Sequence, residues 1–218
     1  MQLPAGRLVS VNLAVVCGGD WTADGGDTGI DKRPAPGRIR AQDDRLLGDT
    51  VVDPRHGGYD QAAYAYARED ATWWATELSR DVAPGAFGEN LSTEGVDVSA
   101  AVIGERWAIG SAVFEVSSPR IPCRTLAGFW EVRDMIKRFT ARGAPGAYLR
   151  IVTDGELGAG DAVTVVHRPG HGVTVAETFR ALTGDRTLAE RLLQAPELPA
   201  RYQARARRWL GVQEPSAR

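Results

Sequence analysis

The chain has 218 residues, 43% hydrophobic and 25% charged, the composition of a folded globular protein and not of a disordered one. A formal net charge of −2, from 26 basic and 28 acidic residues, excludes the basic excess of a dedicated nucleic-acid binder. Two cysteines, Cys17 and Cys123, cannot make a disulfide framework, and no apolar stretch is long enough to span a bilayer, so a cytoplasmic protein with reduced thiols is expected, with no membrane partner.

Leu8 to Val16 reads as a strand. The apolar run Leu8–Cys17 superficially resembles the core of a signal peptide, but Ser10 and Asn12 interrupt it at strand spacing and no small-residue cleavage site follows. The Gly/Asp-rich loop from Gly18 to Gly29, which includes Asp24, lacks the acidic spacing and closing glutamate of a calcium loop and is expected to be a surface turn. Lys32 and Arg33 are either solvated charges or anion contacts, and Pro34 and Pro36 turn the chain into a short strand from Gly37 to Ala41. His56 is followed by Gly57 and Gly58, and a glycine pair lets backbone approach a ligand closely. Asp60 is then expected to cap a first helix, with Ala63, Ala67, Ala71, Trp74 and Leu78 on one face. Tyr64, Tyr66, Trp73 and Trp74 are read as packing residues. In the next glycine-punctuated loop, Pro84 to Leu91, Asn90 is either a turn cap or a group suited to recognising a heterocycle.

Val102 to Gly110 and Ala112 to Ser117 are expected to pair through a turn at Gly110-Ser111. In the second strand Phe114 and Val116 alternate with Glu115 and Ser117; Pro119 and Pro122, which have no N–H to donate, then end the ladder. The stiffened loop presents Cys123 between Arg120 and Arg124, and two guanidinium groups beside a thiol favour the thiolate, the form that binds metals and attacks electrophiles. A helix from Trp130 to Arg142 follows, with Val132, Met135, Ile136 and Phe139 inward, an Asp134–Arg138 surface pair and Gly143 as its stop. Ala147–Val152 and Ala162–His167 are two further strands. Strands dominate without regular alternation with helices, so a mixed or antiparallel barrel is expected. After Arg168–Gly172, two capping-box patterns, Thr174-x-x-Glu177 and Thr187-x-x-Glu190, and Pro199 open three short helices. The division predicted is a β-barrel domain over residues 1–168 and a three-helix domain over 173–212. The third helix exposes Arg201, Arg205, Arg207 and Arg208, either a solvated face or a dock for an acidic partner.

Six segments, in this order, carry a family resemblance: Gly29-Ile-Asp-Lys-Arg-Pro34, His56-Gly-Gly-Tyr-Asp-Gln-Ala62, Tyr64-Ala-Tyr-Ala-Arg-Glu-Asp70, Gly85-Ala-Phe-Gly-Glu-Asn-Leu-Ser-Thr-Glu-Gly95, Pro119-Arg-Ile-Pro-Cys123 and Gly146-Ala-Tyr-Leu-Arg150. Together they span essentially the whole chain, which resembles the MOSC-domain proteins, in the bacterial branch with a C-terminal three-helix extension. Tyr59 departs from the proline usual in the family. The resemblance implies a mainly β, MOSC-type barrel-like domain with inserted helices that holds a molybdenum cofactor, the metal being chelated by the dithiolene of a phosphorylated pterin (molybdopterin). It also implies that Cys123 is the protein's sulfur ligand to molybdenum and the catalytic residue. Lys32, Arg33 and Arg120 are the cations expected at the phosphate or pterin, joined by His56, Gly57, Phe87, Gly88 and Asn90 in the cofactor-binding set. A soft thiolate suits a metal already bound by sulfur. Pyridoxal phosphate is not expected.

The resemblance implies a reductase of N-hydroxylated small molecules such as hydroxylaminopurines and amidoximes. The chain has no flavin or nicotinamide signature and no iron–sulfur cysteine set, so a separate electron-donor reductase is the expected partner, and a homodimer is compatible. The competing readings are a cofactor carrier or persulfide sulfur-transfer module using Cys123, and a non-enzymatic interaction domain using the basic third helix.

Overall fold

The computed structural model describes residues 6–23, 25–52 and 56–212. Asp24 of the acidic loop and residues 1–5 of the first predicted domain lie outside them. In chain order the strands are β1 (Gly6–Ala14), β2 (Cys17–Gly18), β3 (Asp27–Thr28), β4 (Lys32–Pro34), β5 (Arg38–Gln42), β6 (Arg45–Leu46), β7 (Ala63–Ala67), β8 (Leu91–Glu94), β9 (Arg106–Ile109), β10 (Ala112–Pro119), β11 (Ala147–Thr153), β12 (Gly155–Gly158) and β13 (Ala162–His167). The helices are α1 (Arg68–Leu78), α2 (Arg124–Trp130), α3 (Met135–Arg142), α4 (Val175–Thr183), α5 (Ala189–Leu192) and α6 (Ala200–Leu210).

The strands β13-β9-β10-β11-β7-β8-β1 form a sheet that closes on itself, because Gly6 and Arg7 of β1 pair with Val163 and Ala162 of β13. The result is a seven-strand barrel, as the strand-rich pattern predicts. The far end of β1, Asn12 to Ala14, runs past the barrel and pairs with β4, which carries Lys32 and Arg33. Only β7 and β8 pair in parallel within the barrel, and a parallel pair needs a crossover, here α1. The hairpin through Gly110-Ser111 forms as expected, although its first strand starts at Arg106, after a turn from Val102 to Glu105.

The segment Ala63-Tyr-Ala-Tyr-Ala67 corrects the helical expectation. It is a strand buried at every residue, with Ala63, Ala65 and Ala67 in the barrel core and Tyr64 and Tyr66 in a second, aromatic core outside it. The alanines at helical spacing are equally a period-two set, and pairing on both sides decides for the strand. Gly146 lets β11 approach: its φ is 68°, and a Cβ there would lie 2.5 Å from the Ala65 carbonyl oxygen and within 3 Å of both tyrosine rings. Asp60 therefore caps no helix; it sits in a 3-10 turn and pairs with Arg150 at 2.7 Å.

The predicted helix from Trp130 to Arg142 is two helices. The first, α2, begins at Arg124 and ends at Trp130, where Glu131 takes the left-handed conformation (φ 54°) and its N–H bonds the Ala127 and Gly128 carbonyls. The second, α3, buries Met135 and Phe139, stops at Gly143 (φ 70°) and leaves Ile136 41% exposed, against expectation. Arg138 pairs with Glu77 instead of Asp134.

After β13, Thr174 caps α4 as predicted, its hydroxyl accepting from the Glu177 N–H at 3.1 Å. Thr187 does not cap α5; its hydroxyl bonds Asp185 at the start of a 3-10 turn. Val175, Leu182, Leu192, Leu198 and Ala206 belong to the same buried cluster as barrel residues Trp107, Phe114 and Leu149, so the three-helix segment closes one face of the barrel core. No described helix is long and apolar enough to cross a membrane.

Candidate active site

Strand β10 ends at Pro119, and Arg120, Ile121 and Pro122 carry the chain to Cys123, the N-cap of α2 in extended conformation (φ −125°, ψ 169°). The cysteine borders a cavity of about 520 Å³. The same cavity is lined by Arg120, by His56 and Gly57, by Lys32, and by Phe87, Gly88 and Asn90, residues drawn from segments that the sequence separates by up to ninety positions. Arg33, the remaining predicted site residue, is not part of it. Its side chain is 66% exposed, is tied to Asp31 at 2.7 Å and lies near Cys17. Cys17 thus has a cationic neighbour that its sequence surroundings do not suggest.

Burial alone would push the Cys123 thiol up. It is outweighed by a hydrogen bond with His56, the Arg120 guanidinium and the Leu126 N–H at the start of α2, which bring its pKa down from 9.0 to about 6. Arg120 Nη2 is 3.8 Å from Cys123 Sγ and Nη1 donates to the Ile121 carbonyl at 3.0 Å. The guanidinium is buried, lies 6.0 Å from the Phe139 ring centroid and has no carboxylate partner among the described residues. Burial works against its charge, but Cys123, Tyr148 and Tyr64 raise its pKa above the ordinary value. Arg124 plays no such part: it is exposed on the outside of α2, beside Trp21 and Glu131. A helix that starts at the cysteine turns residue 124 away from the sulfur.

Tyr148 and Asp49 complete the walls and Glu89 braces the loop behind them, and none of the three is among the predicted site residues. Tyr148 lines the cavity with its hydroxyl 3.4 Å from His56 Nδ1; burial pushes that hydroxyl up to about 12. Asp49 accepts from Lys32 Nζ at 2.6 Å through both oxygens, from the Ala14 N–H at 2.9 Å and from Asn90 Nδ2 at 2.8 Å. Lys32 is 9% exposed, and burial lowers its pKa despite Asp49. Glu89, 1% exposed, accepts from the Gly85 and Phe87 N–H groups and from Ser92, so it shapes the loop from the inside. Tyr148 and Glu89 had a sequence signal, the Gly146–Arg150 and Gly85–Gly95 segments; Asp49 had none.

The predicted role of Asn90 in reading a heterocycle meets a constraint. Its Oδ1 accepts from the Tyr64 N–H and its Nδ2 donates to the Asn12 carbonyl and Asp49, so its amide is engaged within the protein. Phe87 is fully buried, its ring between Tyr66 and Trp130, and supports the wall from behind.

No group of three or more His, Cys, Asp or Glu side chains able to hold a metal occurs among the described residues. A metal bound at Cys123 would have one soft protein ligand and must bring its other ligands with it. That donor set, with a buried guanidinium lacking a carboxylate, fits an anionic organic chelate carrying a thiophilic metal.

The model of the MOSC domain matches residues 52–164, more than half of the chain. The chain belongs to the MOSC-domain family. This MOSC protein is 32% identical over 182 residues to the uncharacterized protein YflK of Bacillus subtilis, covering 82% of each chain. The crystal structure of YiiM from Geobacillus stearothermophilus superposes with a TM-score of 0.79 at 26% identity, over 95% of this chain and 100% of that one. A Gibberella moniliformis protein named "Reductase" is 27% identical over 203 residues, where this chain spans 35% of its length.

Proposed function

We propose that this MOSC protein is a molybdenum-cofactor-dependent reductase of N-hydroxylated compounds such as hydroxylaminopurines and amidoximes, supplied with electrons by a separate reductase. The observation that carries the reading is a cysteine with a pKa of about 6 at the border of a cavity of about 520 Å³, beside the buried Arg120 guanidinium, which has no carboxylate partner among the described residues. The fungal relative named a reductase supports an oxidoreductase role.

The bound cofactor would supply the two-electron chemistry, and the chain supplies the setting for it. His56, Arg120 and the α2 N-terminus keep the Cys123 sulfur deprotonated and ready to ligate without a proton to displace. Arg120 offers charge-assisted hydrogen bonds to the anionic part of the cofactor, and Lys32, locked by Asp49, contributes a positioned ammonium. Val51, Val52 and Phe87 give part of the cavity lining an apolar character. Overall, the N–O bond breaks, the oxygen leaves as water and the nitrogen gains hydrogen, consuming two electrons and two protons.

Metal analysis of protein made with and without cofactor biosynthesis tests the reading, followed by anaerobic reduction of 6-hydroxylaminopurine and benzamidoxime with reduced methyl viologen. Wild type should carry molybdenum and turn over. Cys123→Ala should lose both with its fold intact, and Cys17→Ala should lose neither. Molybdenum-free wild type from a competent host, or equal losses in the two variants, would overturn the proposal. Metal-independent persulfide transfer from Cys123 would favour the carrier reading instead.

A further inference from the structure

Helix α6 carries Arg201, Arg205, Arg207 and Arg208, and no acidic residue occurs between positions 198 and 212. Arg201, Arg205 and Arg208 are exposed, and none of the three is ion-paired among the described residues. Arg7, Arg38 and Arg180 are exposed with carboxylate partners, and Arg124 and Arg133 are exposed without one among the described residues; what distinguishes α6 is that three such arginines share one helix. Two of the three also lie against aromatic rings. The Arg201 guanidinium lies 4.8 Å from the Tyr202 ring centroid, Arg205 lies 4.9 Å from Trp209, and Arg186 approaches Trp209 at 5.8 Å. Stacking on aromatic rings fixes the guanidinium planes while leaving their N–H edges open to a partner.

The helix is attached to a wall of the cavity. Just before it, the Glu197 carbonyl accepts from Arg150 at 2.8 Å, and Arg150 also holds Asp60 at the end of the His56–Gln61 wall. Two residues before Arg150, Tyr148 lines the cavity, and Arg201 and Tyr202 lie within electrostatic reach of its hydroxyl. The positive face therefore begins within electrostatic reach of the tyrosine whose hydroxyl is 3.4 Å from His56.

A reductase without a second redox centre must take electrons across its surface near the reacting site, and with Cys123 assigned to the molybdenum the one cysteine left is too few for an iron–sulfur cluster. We infer that the arginine face of α6 is the docking surface for an acidic, flavin-bearing electron-donor protein. The inference rests on the reductase reading. The balance is complete: a flavin hydroquinone becomes oxidised flavin, giving two electrons and two protons, and the N-hydroxyl compound becomes the amine or amidine plus water. Opposite charge across such a surface steers encounter and weakens with salt. A nucleic acid is the lesser fit, because the chain as a whole is net negative.

The test uses the full-length holoprotein and reduced flavodoxin, an acidic FMN protein, as probe, with reduced methyl viologen as the small donor. The triple variant Arg201→Glu, Arg205→Glu, Arg208→Glu should lower kcat/KM for flavodoxin by about ten-fold or more at low salt and abolish its salt dependence. Viologen-driven rates should stay within about two-fold, since the substitutions lie outside the cavity. The matching Arg→Lys triple variant keeps the charge and should retain most of the flavodoxin rate, which separates charge from misfolding. Calorimetric titration of oxidised flavodoxin gives a readout that needs no turnover. Equal affinity and equal salt slopes in wild type and the Glu variant would overturn the docking surface. So would tighter, arginine-dependent binding of a single-stranded oligonucleotide than of flavodoxin. Arginine-dependent flavodoxin binding in a protein that viologen cannot drive would sustain the surface and overturn the reductase reading.

Discussion

The state of Cys123 is the most direct quantity to test. A pKa of about 6 against the ordinary 9.0 is a depression of three units, and at 1.36 kcal/mol per unit the site favours the thiolate by roughly 4 kcal/mol. Burial opposes that, so the favourable interactions with His56, Arg120 and the α2 N-terminus sum to more. His56→Ala removes the hydrogen bond and should raise the thiol by about 1–2 units. Near pH 7 the thiolate fraction would then fall from about nine-tenths to between about a half and a tenth, slowing alkylation by iodoacetamide roughly two- to ten-fold. The assay is the pH dependence of alkylation and of thiolate ultraviolet absorbance, on cofactor-free protein carrying Cys17→Ala so that one thiol reports. Linkage gives a second readout. A depressed folded pKa adds stability that is fully present above the unfolded value of about 9 and is lost as pH falls through about 6, so unfolding free energy should climb across that window. Cys123→Ser should flatten the climb. If wild-type Cys123 titrates near 9, or if His56→Ala titrates with wild type, the electrostatic account of the site is wrong.

Three further outcomes follow from particular contacts. Asp49→Ala leaves Lys32 buried without its carboxylate and should destabilise the fold by roughly 3–5 kcal/mol in urea unfolding, whereas Lys32→Met with Asp49→Ala should recover much of the loss. Arg120→Gln should weaken cofactor retention after dialysis by roughly 1.5–3 kcal/mol, while Arg33→Gln, at an exposed pair outside the cavity, should retain wild-type metal content. Gly146→Ala has both a positive φ and a Cβ contact of 2.5 Å with backbone, and should cost more than about 1 kcal/mol, read as a lower melting temperature.

The sequence was most legible where one local rule governed a residue. Alternation marks β10, Pro119 ends it, Thr174 caps α4 and Gly143 stops α3, each through contacts within a few positions. Legibility failed where distant partners chose between local options. Ala63–Ala67 satisfies both helical and strand periods, and only β8 and β11 on its flanks select the strand. Barrel closure itself joins Gly6 to Val163, a pairing no window reports. In the site, the motif segments located the cavity, but the ionic partners were hidden: Asp49 comes from a segment with no pattern of its own, and Glu89 works through backbone N–H groups. Arg124 misled because adjacency in sequence is not adjacency in space once a helix begins.

The fold explains how one cysteine can be both charged and partly buried. The β10 ladder fixes the chain as far as Pro119, after which neither Pro119 nor Pro122 can offer an N–H to extend it, so the backbone must leave the sheet at that point. Helix α2 then starts at the sulfur and gives it the Leu126 N–H. Arg120, placed between these two devices, is only 5% exposed, and the aromatic core under it, Phe139 with Tyr66 and Trp74, leaves its charge only the cavity side to act on. His56 arrives from a separate, glycine-jointed segment, tied down through Asp60 to Arg150. Three independently anchored elements therefore converge on one sulfur atom. The negative charge they stabilise depends on how strand, loop and helix are anchored as much as on the residues beside Cys123 in sequence.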